Sequence, residues 1–154
     1  MAAVNPVPEG YPRVIPYLSV EGANAAIDFY VKIFGAKERM RMGGPDGRIG
    51  HAELAIGDSI VMLADAFPEM GGKTPQDLGG SPVTMMIYVE DVDKVFAAAL
   101  EAGATEERKV EDQFYGDRAG VFVDPFGHKW FVATHVEDIS AEEMEKRAAA
   151  AMGG

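Results

Sequence analysis

Tyr17-Leu18-Ser19-Val20-Glu21, a helical stretch and then Gly35-Ala36-Lys37-Glu38 return later in the chain as Met86-Ile87-Tyr88-Val89-Glu90, a helical stretch and Gly103-Ala104-Thr105-Glu106. The offset is 69 residues from Val20 to Val89 and 68 from Gly35 to Gly103, so the chain holds two near-equal copies of one small unit. The one-residue difference falls inside the helical part. Working outward from the first copy, residues 13–20 alternate and predict a strand with Ile15, Tyr17 and Ser19 on one face. Residues 23–34 carry Ala26, Phe29, Tyr30 and Ile33 at helical spacing, and Gly35 follows where a left-handed C-terminal residue belongs. Strands at 37–42, 49–56 and 59–63 come next, divided by Gly43-Gly44-Pro45-Asp46-Gly47 and by Gly57-Asp58, both turn signals. That order is β-α-β-β-β.

The second copy repeats it. A strand at 83–89 leads to a helix bearing Val92, Val95, Phe96, Ala99 and Leu100, stopped by Gly103, and strands follow at 105–110, 118–123 and 129–134. Asp124-Pro125-Phe126-Gly127 joins the last two as a tight turn. The expected class is therefore α+β, one domain over 1–154 made of two paired βαβββ modules at 13–63 and 83–134. Residues 64–82, with three prolines, four glycines and no sustained period, form the connecting loop. A C-terminal helix is expected over 140–150, opened by a capping box of Ser140 and Glu143, with 148–154 fraying.

Composition narrows the function classes. A chain of 154 residues, 47% of them hydrophobic, suits one compact unit. It holds no apolar run near the ~20 residues that span a bilayer, and residues 1–10 form a Pro-rich arm unlike an export signal. The absence of cysteine excludes disulfides and thiolate catalysis and fits the cytoplasm. A formal charge of −11 repels phosphate backbones and anionic lipid, which argues against nucleic-acid and membrane partners and favours cationic or neutral small ligands.

Ala26-Ile27-Asp28-Phe29-Tyr30 before Phe34-Gly35-Ala36, the matching second unit, and Asp124-Pro125-Phe126-Gly127-His128-Lys129-Trp130 resemble the vicinal oxygen chelate superfamily of glyoxalases, bleomycin-resistance proteins and extradiol dioxygenases. The likeness covers about nine-tenths of the chain, judged by elements in order. Within it, His51-Ala52-Glu53-Leu54, Gly116-Asp117-Arg118 and Thr134-His135-Val136-Glu137-Asp138 look most like the PhnB-like branch. The resemblance implies modules whose sheets curl into a cup, commonly in a homodimer that exchanges or juxtaposes modules. In metal-using members, four side chains converge in that cup, one each from the first and last strands of both modules. Aligned by the Val-Glu and Asp-Pro-Phe-Gly landmarks, those positions are Ile15 or Pro16, Val61 or Met62, Thr84, and Phe131. None is a usual ligand, since hard ions need carboxylate or carbonyl oxygen and zinc or iron need imidazole, carboxylate or thiolate. The internal repeat supports the register, because the 69-residue offset carries Thr84 onto Ile15.

The three histidines carry what remains of site chemistry. His51 and Glu53 lie two apart on a predicted strand, so they share a face and are able to bind a ligand or transfer a proton, or simply to pair with each other. His128 sits in a turn beside Lys129, and His135 has Glu137 and Asp138 within reach. Asp117 and Arg118 read as a local ion pair or a rim site for an anionic group. Alternation from Thr84 brings Met86 and Tyr88 to one side, that from Ile15 brings Tyr17 and Ser19, and Phe131 joins them from the last strand. Such a lining suits a partly aromatic ligand, oriented by a few hydroxyls and one imidazole.

The expected ligand-binding residues are thus Tyr17, His51, Thr84, Met86, Tyr88 and Phe131. The leading expectation is a metal-free small-molecule-binding protein, without a cofactor, that sequesters or carries its ligand. The alternative is an enzyme, a lyase, isomerase or dioxygenase-like member, using a divalent metal displaced toward His51 and Glu53 or His51 as general base. A purely structural domain with a filled cup is the third. Since a lone module leaves exposed sheet, pairing within or between chains is required, and a homodimer is expected.

Overall fold

Helix α1 (Ala23–Phe34) forms where the apolar spacing predicts it, with Ala26, Ile27, Phe29, Tyr30 and Ile33 buried along one side. Gly35 ends it at φ 66°, a left-handed conformation that glycine adopts without steric cost, and its N–H returns to the Val31 carbonyl. The computed structural model describes residues 3–153, and the chain divides into two compact units after Leu78. In the first unit, strands β1 (Tyr17–Val20), β2 (Lys37–Gly43), β3 (Ile49–Ile56) and β4 (Ser59–Asp65) form a sheet in the order β1-β4-β3-β2. Strand β1 runs parallel to β4, and the other neighbours are antiparallel. Register places Tyr17 opposite Met62, Met62 opposite Glu53, Glu53 opposite Met40, and Met42 opposite His51. These side chains therefore share the face turned away from the helix. Leu18, Val20, Ala52, Leu54, Val61 and Leu63 occupy the other face and are buried, each large one adding about 1.5–3 kcal/mol of burial.

Two expectations need correction here. The first strand starts at Tyr17 rather than at residue 13, because Pro12 and Pro16 have no N–H to give a ladder, although the Pro16 carbonyl still accepts from Met62 N at 2.9 Å. Ile15 thus precedes the strand. The connecting segment 64–82 is not structureless: β4 runs on to Asp65, a short 3-10 turn covers Pro68–Met70, and helix α2 spans Pro75–Leu78.

The second unit repeats the plan with β5 (Thr84–Tyr88), helix α3 (Val92–Glu101), β6 (Thr105–Asp112), β7 (Asp117–Val123) and β8 (Lys129–His135), ordered β5-β8-β7-β6. Phe96 and Ala99 of α3 are buried with Phe122, Trp130 and Val132. The helix lies so close to β7 that a Cβ on Gly120 would come within 2.9 Å of the Phe96 ring. The repeat extends to how each helix begins. Asp65 Oδ1 accepts from the N–H groups of Gly22 and Ala23 at 2.8 and 2.9 Å, and 69 positions on Thr134 Oγ1 accepts from Val92 N at 2.8 Å. The turn after β7 is anchored by buried Asp124, whose Oδ1 takes the Phe126 and His128 N–H groups and whose Oδ2 takes Trp130 Nε1 at 2.9 Å.

The terminal helix α4 covers Ala141–Gly153, so it begins one residue later than expected and continues over residues 148–153 of the stretch expected to fray, whose last residue lies outside the described residues. Ser140 Oγ does accept from Glu143 N at 3.1 Å, but the Glu143 carboxylate takes Arg147 instead of returning to the cap. Among the described residues no helix is long and apolar enough to cross a membrane.

Candidate functional site

A continuous polar chain crosses the open face of the first sheet. The Tyr17 hydroxyl lies 2.7 Å from His51 Nδ1, and His51 Nε2 lies 2.8 Å from Glu53 Oε2. Tyr11, in the segment before β1, donates its hydroxyl to Glu53 Oε1 at 2.7 Å. Arg39 of β2 approaches the same carboxylate oxygen at 3.8 Å and stacks over the Tyr11 ring, its guanidinium carbon 4.7 Å from the centroid. Strand alternation puts His51 and Glu53 on one face, and the register of β1 with β4 and of β4 with β3 carries Tyr17 alongside. Glu53 is buried at 5% exposure, whereas Tyr17 is 54% exposed, so the chain runs from an outer phenol to an inner carboxylate. Met40 and Met42 are exposed on the same face.

The hydrogen bonds decide where the protons are. Hydrogen bonds from His51 and then Tyr11 hold the Glu53 carboxyl below the usual range, so it is ionised and accepts only. His51 Nε2 therefore carries a proton. In the neutral ring Nδ1 is bare, and Tyr17 supplies the proton of that bond. Burial, followed by the Glu53 charge, pushes the Tyr17 phenol up, which keeps it protonated.

The second sheet carries a different set. Tyr88 donates its hydroxyl to Asp117 Oδ2 at 2.8 Å, His135 Nδ1 bonds Asp117 Oδ1 at 2.8 Å, and His135 Nε2 bonds Asp138 Oδ1 at 2.7 Å. His135 lies between two carboxylates, first Asp117 and then Asp138, and these raise its pKa because the doubly protonated ring donates to both.

Of the residues expected at the site, Tyr17 and His51 meet on the first sheet, with Glu53 behind them. Thr84, Met86 and Tyr88 alternate onto one face of the second sheet, where Phe131 lies opposite Met86. Tyr88 is bonded to Asp117, a partner that sequence reasoning missed. Tyr11 was missed too, since its bond to Glu53 spans 42 residues with no local signal. The local Asp117–Arg118 pair does not form. Consecutive strand residues point to opposite faces, and Arg118 bonds Asp93 and Asp112 instead. His135 takes Asp138, while Glu137 is held by Arg147.

The positions implied for a metal do not fit one. Ile15 precedes β1, Val61 is buried on the helix side, Met62 lies opposite Tyr17, and Thr84 supplies a lone hydroxyl at the start of β5. Phe131 has no donor atom. Among the described residues no group of three His, Cys, Asp or Glu side chains is placed to hold an ion.

Comparison with known proteins accounts for this architecture. The uncharacterized protein Rv0887c of Mycobacterium tuberculosis is 50% identical over 137 residues, covering 87% of this chain and 81% of that one. The crystal structure of PA1353 from Pseudomonas aeruginosa superposes with a TM-score of 0.69 at 22% identity, covering 82% of this chain and 99% of that one. TioX from Micromonospora gives 0.62 at 27% identity, covering 81% and 99%. The PhnB protein from Bacillus cereus shares the fold at a TM-score of 0.64 and 16% identity, covering 80% of this chain and 99% of that one. A family model matches residues 13–132, and by that match the chain belongs to the Glyoxalase/Bleomycin resistance protein/Dioxygenase superfamily.

Proposed function

We propose that this protein binds a small organic molecule on the open face of its first sheet, without a resident metal, and sequesters or carries it. The observation that carries this reading is the Tyr17–His51–Glu53–Tyr11 chain set among methionines. Burying a carboxylate is costly unless every oxygen is bonded, so a fully bonded Glu53 beneath an exposed phenol is a built feature and not a solvated surface pair. The thioethers beside it offer adaptable contact to a flat apolar body. The poor metal donor set supports the cofactor-free form of the reading. On the second sheet, Phe131 and Met86 provide a further apolar surface, with Thr84 and Tyr88 as polar neighbours. A homodimer belongs to the same proposal, and light scattering at micromolar concentration checks it.

The test is a thermal-shift screen of planar organic compounds against the wild type, since a ligand that binds only the native state raises its melting temperature. Hits are then titrated calorimetrically into wild type and Tyr17→Phe. Affinity lost in Tyr17→Phe supports the reading; hits that bind both alike refute this face as the site.

A second reading has one observation in its favour. Hydroxyl, imidazole and buried carboxylate stand in the order that lets His51 accept a proton through Tyr17 while Glu53 orients the ring. The variant His51→Gln separates the two: an amide keeps hydrogen bonds but is no base near neutral pH. Binding retained with turnover lost makes the protein an enzyme.

A further inference from the structure

We infer that the ligand of the first-sheet face donates a hydrogen bond to Tyr17 through an amine, amidine or hydroxyl carried on a flat apolar body, and that anionic and acceptor-only molecules are turned away. This rests on the proposed binding role of that face. Tyr17 has one proton. Glu53 accepts from Tyr11 at one oxygen and from His51 Nε2 at the other, so when the imidazole is neutral only its bare Nδ1 is left for Tyr17. The 2.7 Å bond between them consumes the phenol's proton. What the exposed Tyr17 oxygen presents outward is a lone pair, and a lone pair meets a donor.

Charge acts in the same direction. The Glu53 carboxylate stands behind the relay, and the nearest cation, Arg39, approaches the oxygen bonded to Tyr11 at 3.8 Å, not the one facing His51. The whole chain carries −11. An anion placed against Tyr17 would take its proton from His51 and meet this field without a compensating donor. A cation gains from both terms, and a neutral donor gains from the first. Met40 and Met42 on the same face then contact the apolar body.

The experiment uses four probes of one shape, 2-naphthylmethylamine, 2-naphthol, 2-methoxynaphthalene and 2-naphthoate, titrated into the full chain at about pH 8, where free imidazole is neutral. The amine and the naphthol are expected to bind at least about tenfold more tightly than the ether, with the carboxylate weakest. In Tyr17→Phe, whose melting temperature confirms folding, the gap between the naphthol and the ether closes, while the Glu53 charge still favours the amine over the carboxylate. Glu53→Gln removes the charge that keeps the proton on Nε2, and narrows the preference for amine over carboxylate. Naphthoate binding as tightly as the amine, in a Tyr17-dependent way, overturns the inference while leaving the binding role standing. An unchanged amine-to-carboxylate ratio in Glu53→Gln also overturns it. Four probes that bind wild type and Tyr17→Phe alike, or none that binds at all, overturn both.

Discussion

Replacing Glu53 by alanine removes the acceptor of two hydrogen bonds, from Tyr11 at 2.7 Å and from His51 at 2.8 Å. Hydrogen bonds to a charged group contribute about 1.5–3 kcal/mol each. Tyr11 is only half-buried and can turn to water, and the variant no longer has to desolvate a carboxylate, so the sum is offset in part. A net loss of about 2–4 kcal/mol remains, or a melting temperature lower by roughly 4–16 °C for a chain of this size. Glu53→Gln keeps the shape and one acceptor and should lose about a third of that. Calorimetry of the three proteins measures it, and pH supplies an internal control. Because the folded-state pKa of Glu53 is depressed, first by His51 and then by Tyr11, its ionised form contributes stability above the unfolded value near 4.3 that is lost as pH falls through the folded value. The gap between wild type and Glu53→Gln should therefore close under acid. A melting temperature for Glu53→Ala within about 2 °C of wild type, at neutral pH, would refute the idea that this carboxylate organises the face.

Three further outcomes follow from the same geometry. The pKa of His135 is raised by Asp117 and Asp138, so its contribution is complete below the unfolded value near 6.5 and fades as pH rises through the folded value; His135→Gln should be less stable than wild type in mild acid and converge with it in base, as melting curves against pH will show. Gly116 sits at φ 94° with its α-carbon against Glu137, where a Cβ would overlap the Glu137 carbonyl oxygen, so Gly116→Ala should cost at least about 2 kcal/mol in denaturant titration. Protein purified without chelator should carry no stoichiometric transition metal, and EDTA should leave its melting temperature unchanged; a chelator shift of several degrees sinks the cofactor-free reading.

The internal repeat, the two βαβββ units and most element bounds were legible in the chain because they rest on local signals. Helical spacing set Ala23–Phe34 to the residue, and paired turn sequences set Ile49–Ile56. Where local signals conflicted, the bounds moved: alternation suggested a strand from residue 13, but the missing N–H groups of Pro12 and Pro16 delayed it to Tyr17. The sharing of a face by His51 and Glu53 was equally readable, since the period of a strand is two. The partners of that pair were not. Tyr17 reaches His51 across 34 residues and Tyr11 reaches Glu53 across 42, and both contacts depend on which strands become neighbours and in which register. The same holds for Tyr88 on Asp117, and for Arg118 leaving Asp117 in favour of Asp93. Sequence alone determined which side chains each strand offers to which face, through periodicity and turn chemistry. Tertiary structure decided which of them touch, and so where the protons reside, because hydrogen bonds between distant segments form only once the sheet's pairing brings the groups within about 3 Å.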